Sequence, residues 1–188
     1  MIAFCLCGTL NELSEFDPTF IDNVYSTVLD NIVSVFSCAR TGITDLYPLK
    51  KGITNLSCHF TIGNDEFVYR FPGIGTEKMI DRKAEAEALL LASEIGLDNT
   101  YLHVDAEGGW KISRFVPDAR TLDIEKPDEF RQAMQLSRLL HESGRELERR
   151  FDFIDEGIDF EEILKEHGSI DLPGYVDLRE KVLRLKEF

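Results

Sequence analysis

Arg70 and Glu85 are the pair in this sequence whose types and placement could do chemistry. Arg70 falls near the end of a strand-like run in which Phe67, Tyr69 and Phe71 alternate with Val68 and Arg70. Glu85 falls near the start of a helix-like run with Ala84, Ala88 and Leu91 at helical spacing, so it is carried on a rigid element. A cation on a strand with a carboxylate on the following helix can hold and orient polyphosphate. The cation meets the phosphate oxygens and the carboxylate fixes the cation. Taken singly, the same two residues read as solvated surface charges, and spacing alone leaves both readings open.

The elements around the pair can be read in order. Leu56, Cys58, Phe60 and Ile62 alternate with Ser57, His59 and Thr61, and Gly63-Asn64-Asp65 can turn the chain back into the Arg70 strand, which predicts a hairpin. Ahead of it, Lys50 to Asn55 form a loop in which Gly52 lets backbone approach a ligand and Thr54 and Asn55 add polar side chains. Behind it, residues 72 to 77 make a second glycine-bearing loop. There Thr76 is the predicted cap, and Glu77 and Asp81 favour the first turns, of a helix from Lys78 to Ile95 that stops at Gly96. Tyr101 to Asp105 and Trp110 to Phe115 read as two more strands around a turn at 105 to 109, with His103 as a strand-surface histidine.

Upstream, Asp17-Pro18 opens a helix whose Val24, Val28 and Ile32 stripe packs on the sheet, followed by a strand from Thr44 to Leu49 in which Pro48 disfavours a central position. Downstream, Pro127 opens a helix with Phe130, Ala133, Met134, Leu136 and Leu140 on its apolar face. Shorter helices are predicted from Asp159 to His167 and from Tyr175 to Leu185, and helices of that length need a partner surface. The chain thus divides into an amino-terminal segment (1–42), a sheet-bearing part (43–117) and a helical extension (118–188).

Composition narrows the partners. A formal charge of -14 over 188 residues repels nucleic acid and anionic membrane, so a phosphate site would lean on Mg2+ and backbone donors. No apolar run approaches the length of a membrane span. Cys5, Cys7, Cys38 and Cys58 form no metal-ligand spacing and read as free thiols of a reducing cytosol.

Five stretches together resemble the choline/ethanolamine kinase family within the aminoglycoside-phosphotransferase-like kinases, specifically bacterial choline kinases of phosphocholine decoration. They are K-G-I-T-N at 51 to 55, F-V-Y-R-F-P-G-I-G-T-E at 67 to 77, I-D-R-K-A-E at 80 to 85, G-W-K-I-S-R-F-V at 109 to 116 and L-S-R-L-L-H at 136 to 141. The resemblance implies an α+β fold: a protein-kinase-like amino-terminal lobe, with a twisted antiparallel sheet and a packed helix, followed by a helical extension without the catalytic lobe. It implies that Gly52, Ile53, Thr54 and Asn55 form the loop over the phosphates of ATP and that Arg70 is the strand cation with Glu85 its helix partner. It further implies that Ile112, Ser113, Arg114 and Phe115 form the linker that meets adenine, and that ATP with Mg2+ is the cofactor. In the family, the alcohol of choline attacks the γ-phosphate to give phosphocholine and ADP.

One departure is large. The family's catalytic loop, a histidine-x-aspartate with a downstream asparagine and then a further metal-binding aspartate, has no counterpart, and His141-Glu142-Ser143 and His167-Gly168-Ser169 lack the aspartate. No catalytic or metal-binding residue is therefore assigned, and a choline pocket is expected only in a full-length form. Three readings stay open: the nucleotide-binding part of a choline kinase-like phosphotransferase, inactive alone; a nucleotide-binding module that transfers nothing; and an interaction protein that forms homo-oligomers through the surface a second lobe would cover.

Overall fold

The computed structural model describes residues 18–49, 55–73, 75–168 and 172–187. Cys5, Cys7, the cap at Asp17 and the loop residues Gly52, Ile53 and Thr54 lie outside the described residues. The chain forms two compact units, Met1–Glu146 and Leu147–Phe188.

In the first unit, alternation and turn chemistry build an antiparallel sheet. The strands are β1 (Ile43–Leu49), β2 (Asn55–Ile62), β3 (Asp65–Pro72), β4 (Tyr101–Val104) and β5 (Lys111–Arg114), in the spatial order β1-β2-β3-β5-β4. The β2–β3 hairpin turns at Gly63, whose φ of 64° suits glycine, and its register aligns Ser57 with Arg70 and His59 with Val68. Pro48 sits on the edge strand β1, as a residue without an N–H donor requires. β5 enters between β3 and β4, which places Lys111 opposite Arg70 and Ser113 opposite Val68.

Helix α1 (Pro18–Phe36) covers one face of this sheet. Val28 and Ile32 pack against Phe60, Phe67, Tyr69 and Ile112, and four of these side chains, Ile32, Phe60, Tyr69 and Ile112, are completely buried. The polar end of Tyr69 is satisfied, because its hydroxyl accepts from Asn31 Nδ2 at 2.8 Å, while its ring stacks on Trp110 at 5.5 Å. Cys58 lies beside this core, and burial pushes its thiol up to about 12, which leaves it a packing group with little thiolate character.

Helix α2 (Arg82–Glu94) begins later than the predicted Lys78. Asp81, not Thr76, is its cap: the Asp81 carboxylate accepts the Ala84 N–H at 3.0 Å. Thr76 is buried, and its hydroxyl donates to the Gly73 carbonyl at 2.7 Å. The C-terminus ends as expected at Gly96, with φ 77°. Leu97 N–H reaches Ala92 O and Gly96 N–H reaches Ser93 O, the two bonds of a Schellman ending. Helix α3 (Pro127–Glu142) follows with no buried residue.

The second unit contains α4 (Phe153–Lys165), α5 (Tyr175–Leu183) and a closing 3-10 turn at Arg184–Glu187. Helix α4 starts earlier than the predicted Asp159, because the Asp152 carboxylate accepts the N–H groups of Ile154 and Asp155 and nucleates the helix there. Glu161 is buried between the two helices, where Arg179 Nε and the Tyr175 hydroxyl both donate to it. That carboxylate is what holds α5 against α4.

Candidate functional site

Side chains alternate across a strand, so the face of the sheet opposite α1 is made by Ser57, His59 and Thr61 of β2, Glu66, Val68 and Arg70 of β3, and Lys111 and Ser113 of β5. This face carries the polar chemistry. Ser57, Arg70 and Lys111 form one row across three strands.

Arg70 Nη2 donates to Glu85 Oε1, so the strand cation and the helix carboxylate meet as their spacing suggested. The second oxygen of Glu85 takes a bond from Arg82 Nη1 at 3.1 Å, and Arg82 Nη2 continues the chain to the Thr76 hydroxyl. All three charged side chains are largely covered, at 16% exposed for Arg70, 11% for Arg82 and 23% for Glu85. Arg82 did not stand out in the sequence, where it reads as an ordinary helix-surface cation. A usable signal was Gly109: its φ is 69°, and a Cβ there would lie 2.8 Å from Arg82 Nε, so a glycine is needed for the guanidinium to pass.

The electrostatics follow from this packing. Burial raises the Glu85 carboxyl, but the hydrogen bonds and charges of Arg70 and Arg82 outweigh it and hold the group below its ordinary range. Lys111 is lowered, first by burial and then by the Arg70 charge beside it, with Glu85 and Asp98 opposing. Among the described residues, the buried Arg70 Nε has no hydrogen-bond partner. Two neighbouring cations on one face, Arg70 and Lys111, supply the charge that a phosphate fits.

A metal fits less well. Among the described residues no three His, Cys, Asp or Glu side chains converge where they could hold a metal ion, and both oxygens of Glu85 are engaged by arginines.

The remaining expected site residues separate by face. Ser113 points to the Arg70 face, and the Phe115 ring stands against His59 with centroids 4.8 Å apart. Ile112 is fully buried in the core under α1, and Arg114 lies opposite Phe67 on that same side. For these two, only main-chain atoms could serve a ligand in the cleft. The Arg114 N–H already donates to Thr100 O at 2.8 Å and the Phe115 N–H to Glu66 O at 2.9 Å. Asn55 opens β2 opposite Pro72. Among the described residues, no helix is long and apolar enough to cross a membrane.

No family model matches the chain, and no curated protein matches it by sequence. Solved structures do. The choline kinase LicA from Streptococcus pneumoniae is similar at a TM-score of 0.69 and 25% identity, covering 88% of this chain and 56% of that one. LicA in complex with AMP is similar at 0.64 and 26% identity, over 86% of this chain and 55% of that one. A choline/ethanolamine kinase family protein from Mesorhizobium loti is similar at 0.56 and 28% identity, over 85% and 53%. The chain spans little more than half the length of the structures it matches. Its twisted antiparallel sheet followed by helices is the amino-terminal-lobe type of architecture seen in those proteins, and at the level of fold and family the chain is a structural homologue of the choline/ethanolamine kinases.

Proposed function

We propose that this chain is the nucleotide-binding part of a choline kinase-like phosphotransferase and that by itself it binds ATP without transferring phosphate. The observation that carries the reading is the Arg70–Glu85 ion pair beside Lys111. Glu85 holds the guanidinium in place, Arg82 holds Glu85, and Arg70 and Lys111 together supply the positive charge for a phosphate. In this reading Gly52, Ile53, Thr54 and Asn55 are the residues that contact the phosphates. Ser113 and Phe115 face the base, with Ile112 and Arg114 contributing backbone alone.

In the full reaction, the choline oxygen forms a bond to the γ-phosphorus, the bond from that phosphorus to the bridging oxygen breaks, and ADP leaves with the electron pair. In the family the base that takes the hydroxyl proton belongs to a histidine-x-aspartate loop with a downstream asparagine, and no asparagine follows the histidine-x-aspartate of this sequence, His103-Val104-Asp105. Support for the nucleotide class comes from the homologue described with AMP.

The test is calorimetric titration with ATP and Mg2+, repeated on Arg70→Ala. Saturable binding that weakens at least about tenfold in the variant is expected for the loss of a charge-assisted contact. A folded wild-type chain that binds no nucleotide sinks the reading.

A second reading, a non-catalytic module that self-associates, is favoured by α3. Its Phe130, Met134, Leu136, Leu139 and Leu140 are all exposed, which is an unusual apolar surface for a single helix.

A further inference from the structure

We propose that Arg82 is a positioning residue that sets where the Arg70 guanidinium stands, by tying Glu85 to two segments outside helix α2: the loop after β3 and the β4–β5 turn. The ligand half of this inference, tighter binding of a polyphosphate, rests on the nucleotide reading above. The tie itself rests on hydrogen-bond geometry.

The contact between Arg70 and Glu85 does not by itself fix the pair. Arg70 Nη2 holds one oxygen of a carboxylate that stands on a flexible stem. Arg82 Nη1 takes the other oxygen at 3.1 Å. Arg82 and Glu85 are neighbours on one face of α2, so that bond alone would only join the helix to itself. The rest of the Arg82 fork leaves the helix. Its Nη2 donates to the buried Thr76 hydroxyl, and that hydroxyl donates to the Gly73 carbonyl at 2.7 Å. Chemistry forces these directions: a guanidinium has no acceptor and a carbonyl has no donor, so the hydroxyl accepts from one and donates to the other. Gly73 directly follows β3, the strand that carries Arg70. The contacts therefore close on themselves, from Arg70 along β3 to Gly73, through Thr76 and Arg82 to Glu85, and back to Arg70.

The second tie is steric. Gly109 lies against the Arg82 side chain, where a Cβ would stand 2.8 Å from Nε and 2.9 Å from Cδ. The turn that carries Gly109 is itself held. Gly109 N–H donates to the Asp105 carbonyl at 2.8 Å, Asp105 N–H donates to the Trp110 carbonyl at 2.9 Å, and the Trp110 ring stacks on the buried Tyr69. The same turn leads into Lys111, which pairs with Arg70 across the sheet. Both cations of that row thus take their place from one turn, Lys111 through its backbone and Arg70 through Arg82 and Glu85.

The test titrates the whole chain with ATP and Mg2+, and separately with adenosine, which carries no phosphate. Arg82→Lys keeps the charge but has a single nitrogen, which does not fill both positions of the fork. It should weaken ATP about fivefold and leave adenosine unchanged. Gly109→Asn should do the same, because asparagine tolerates the left-handed backbone but adds a Cβ in the path of Arg82. In an Arg70→Ala background, Arg82→Lys should cost nothing further, since it acts through Arg70. Equal losses in the two backgrounds, a parallel loss of adenosine affinity, or wild-type ATP affinity in Arg82→Lys each overturn the inference. If Gly109→Asn does not fold, the Arg82→Lys titrations decide. If the wild-type chain binds no ATP, the nucleotide reading fails and the ligand half with it. The tie is then decided by guanidinium nitrogen NMR: Arg70 side-chain rotation that is slow in the wild type and faster in Arg82→Lys supports it, and equal rotation in the two refutes it.

Discussion

Glu85 accepts from two guanidinium groups while three-quarters covered, and its carboxyl is held below the ordinary carboxylate range despite the opposing effect of burial. A folded-state value below the unfolded one means that the group stabilises the fold at pH above the ordinary carboxylate range. That contribution is lost as pH falls through the ordinary range and below it. Glu85→Gln should therefore melt at lower temperature than wild type near neutral pH, and the difference should shrink on acidification toward about pH 3. Thermal melts across that range decide it: a gap that stays constant with pH would show that the carboxylate's charge is not what matters. At this scale the sequence exposed Arg70 and Glu85, because alternation and helical spacing assign each to an element. It did not expose Arg82, whose role depends on Thr76 and Gly109 being brought to it by packing.

Helix α2 must start in the right place for Glu85 to meet Arg70, and Asp81 sets that start. Thr76 and Asp81 are both cap-type residues, so local preference does not separate them. The tertiary structure does, by burying Thr76 between Gly73 and Arg82, so that Asp81 is the residue that caps. Asp81→Ala should lower stability by about 1 kcal/mol and speed amide exchange in the first turn of α2. Thr76→Ser, which keeps the hydroxyl, should leave that exchange unchanged. Unaltered exchange in Asp81→Ala would assign the helix start to something other than the cap. The same competition explains α4, where Asp152 captures two amides and starts the helix ahead of the expected position.

On the scale of the molecule, the apolar surface of α3 and the formal charge of -14 act against each other. Like charge keeps copies apart at low ionic strength, and salt screens it while leaving apolar contact intact. Under the self-association reading, sedimentation should show an oligomer that strengthens with salt. Met134→Lys with Leu136→Lys should weaken it at least about tenfold without loss of helix content. A wild-type chain that stays monomeric at high concentration and high salt rules that reading out. Longer homologues set the frame for both readings, since this chain covers 56% of one such structure and 53% of another.

The elements were determined by sequence alone because their signals are local: period two in β2 and β3, helical stripes in α1 and α3, and glycines where φ must be positive at 63 and 96. The hairpin joining β2 and β3 was legible from its turn residues, while its register, with Ser57 opposite Arg70, came from the structure. Tertiary structure alone decided that β5 enters between β3 and β4, which puts Lys111 beside Arg70 and sends Ile112 into the core. It also decided that Arg82 passes Gly109 to reach Thr76. Strand order and the meeting of side chains far apart in sequence are set by how whole faces bury against one another, and no local pattern encodes that.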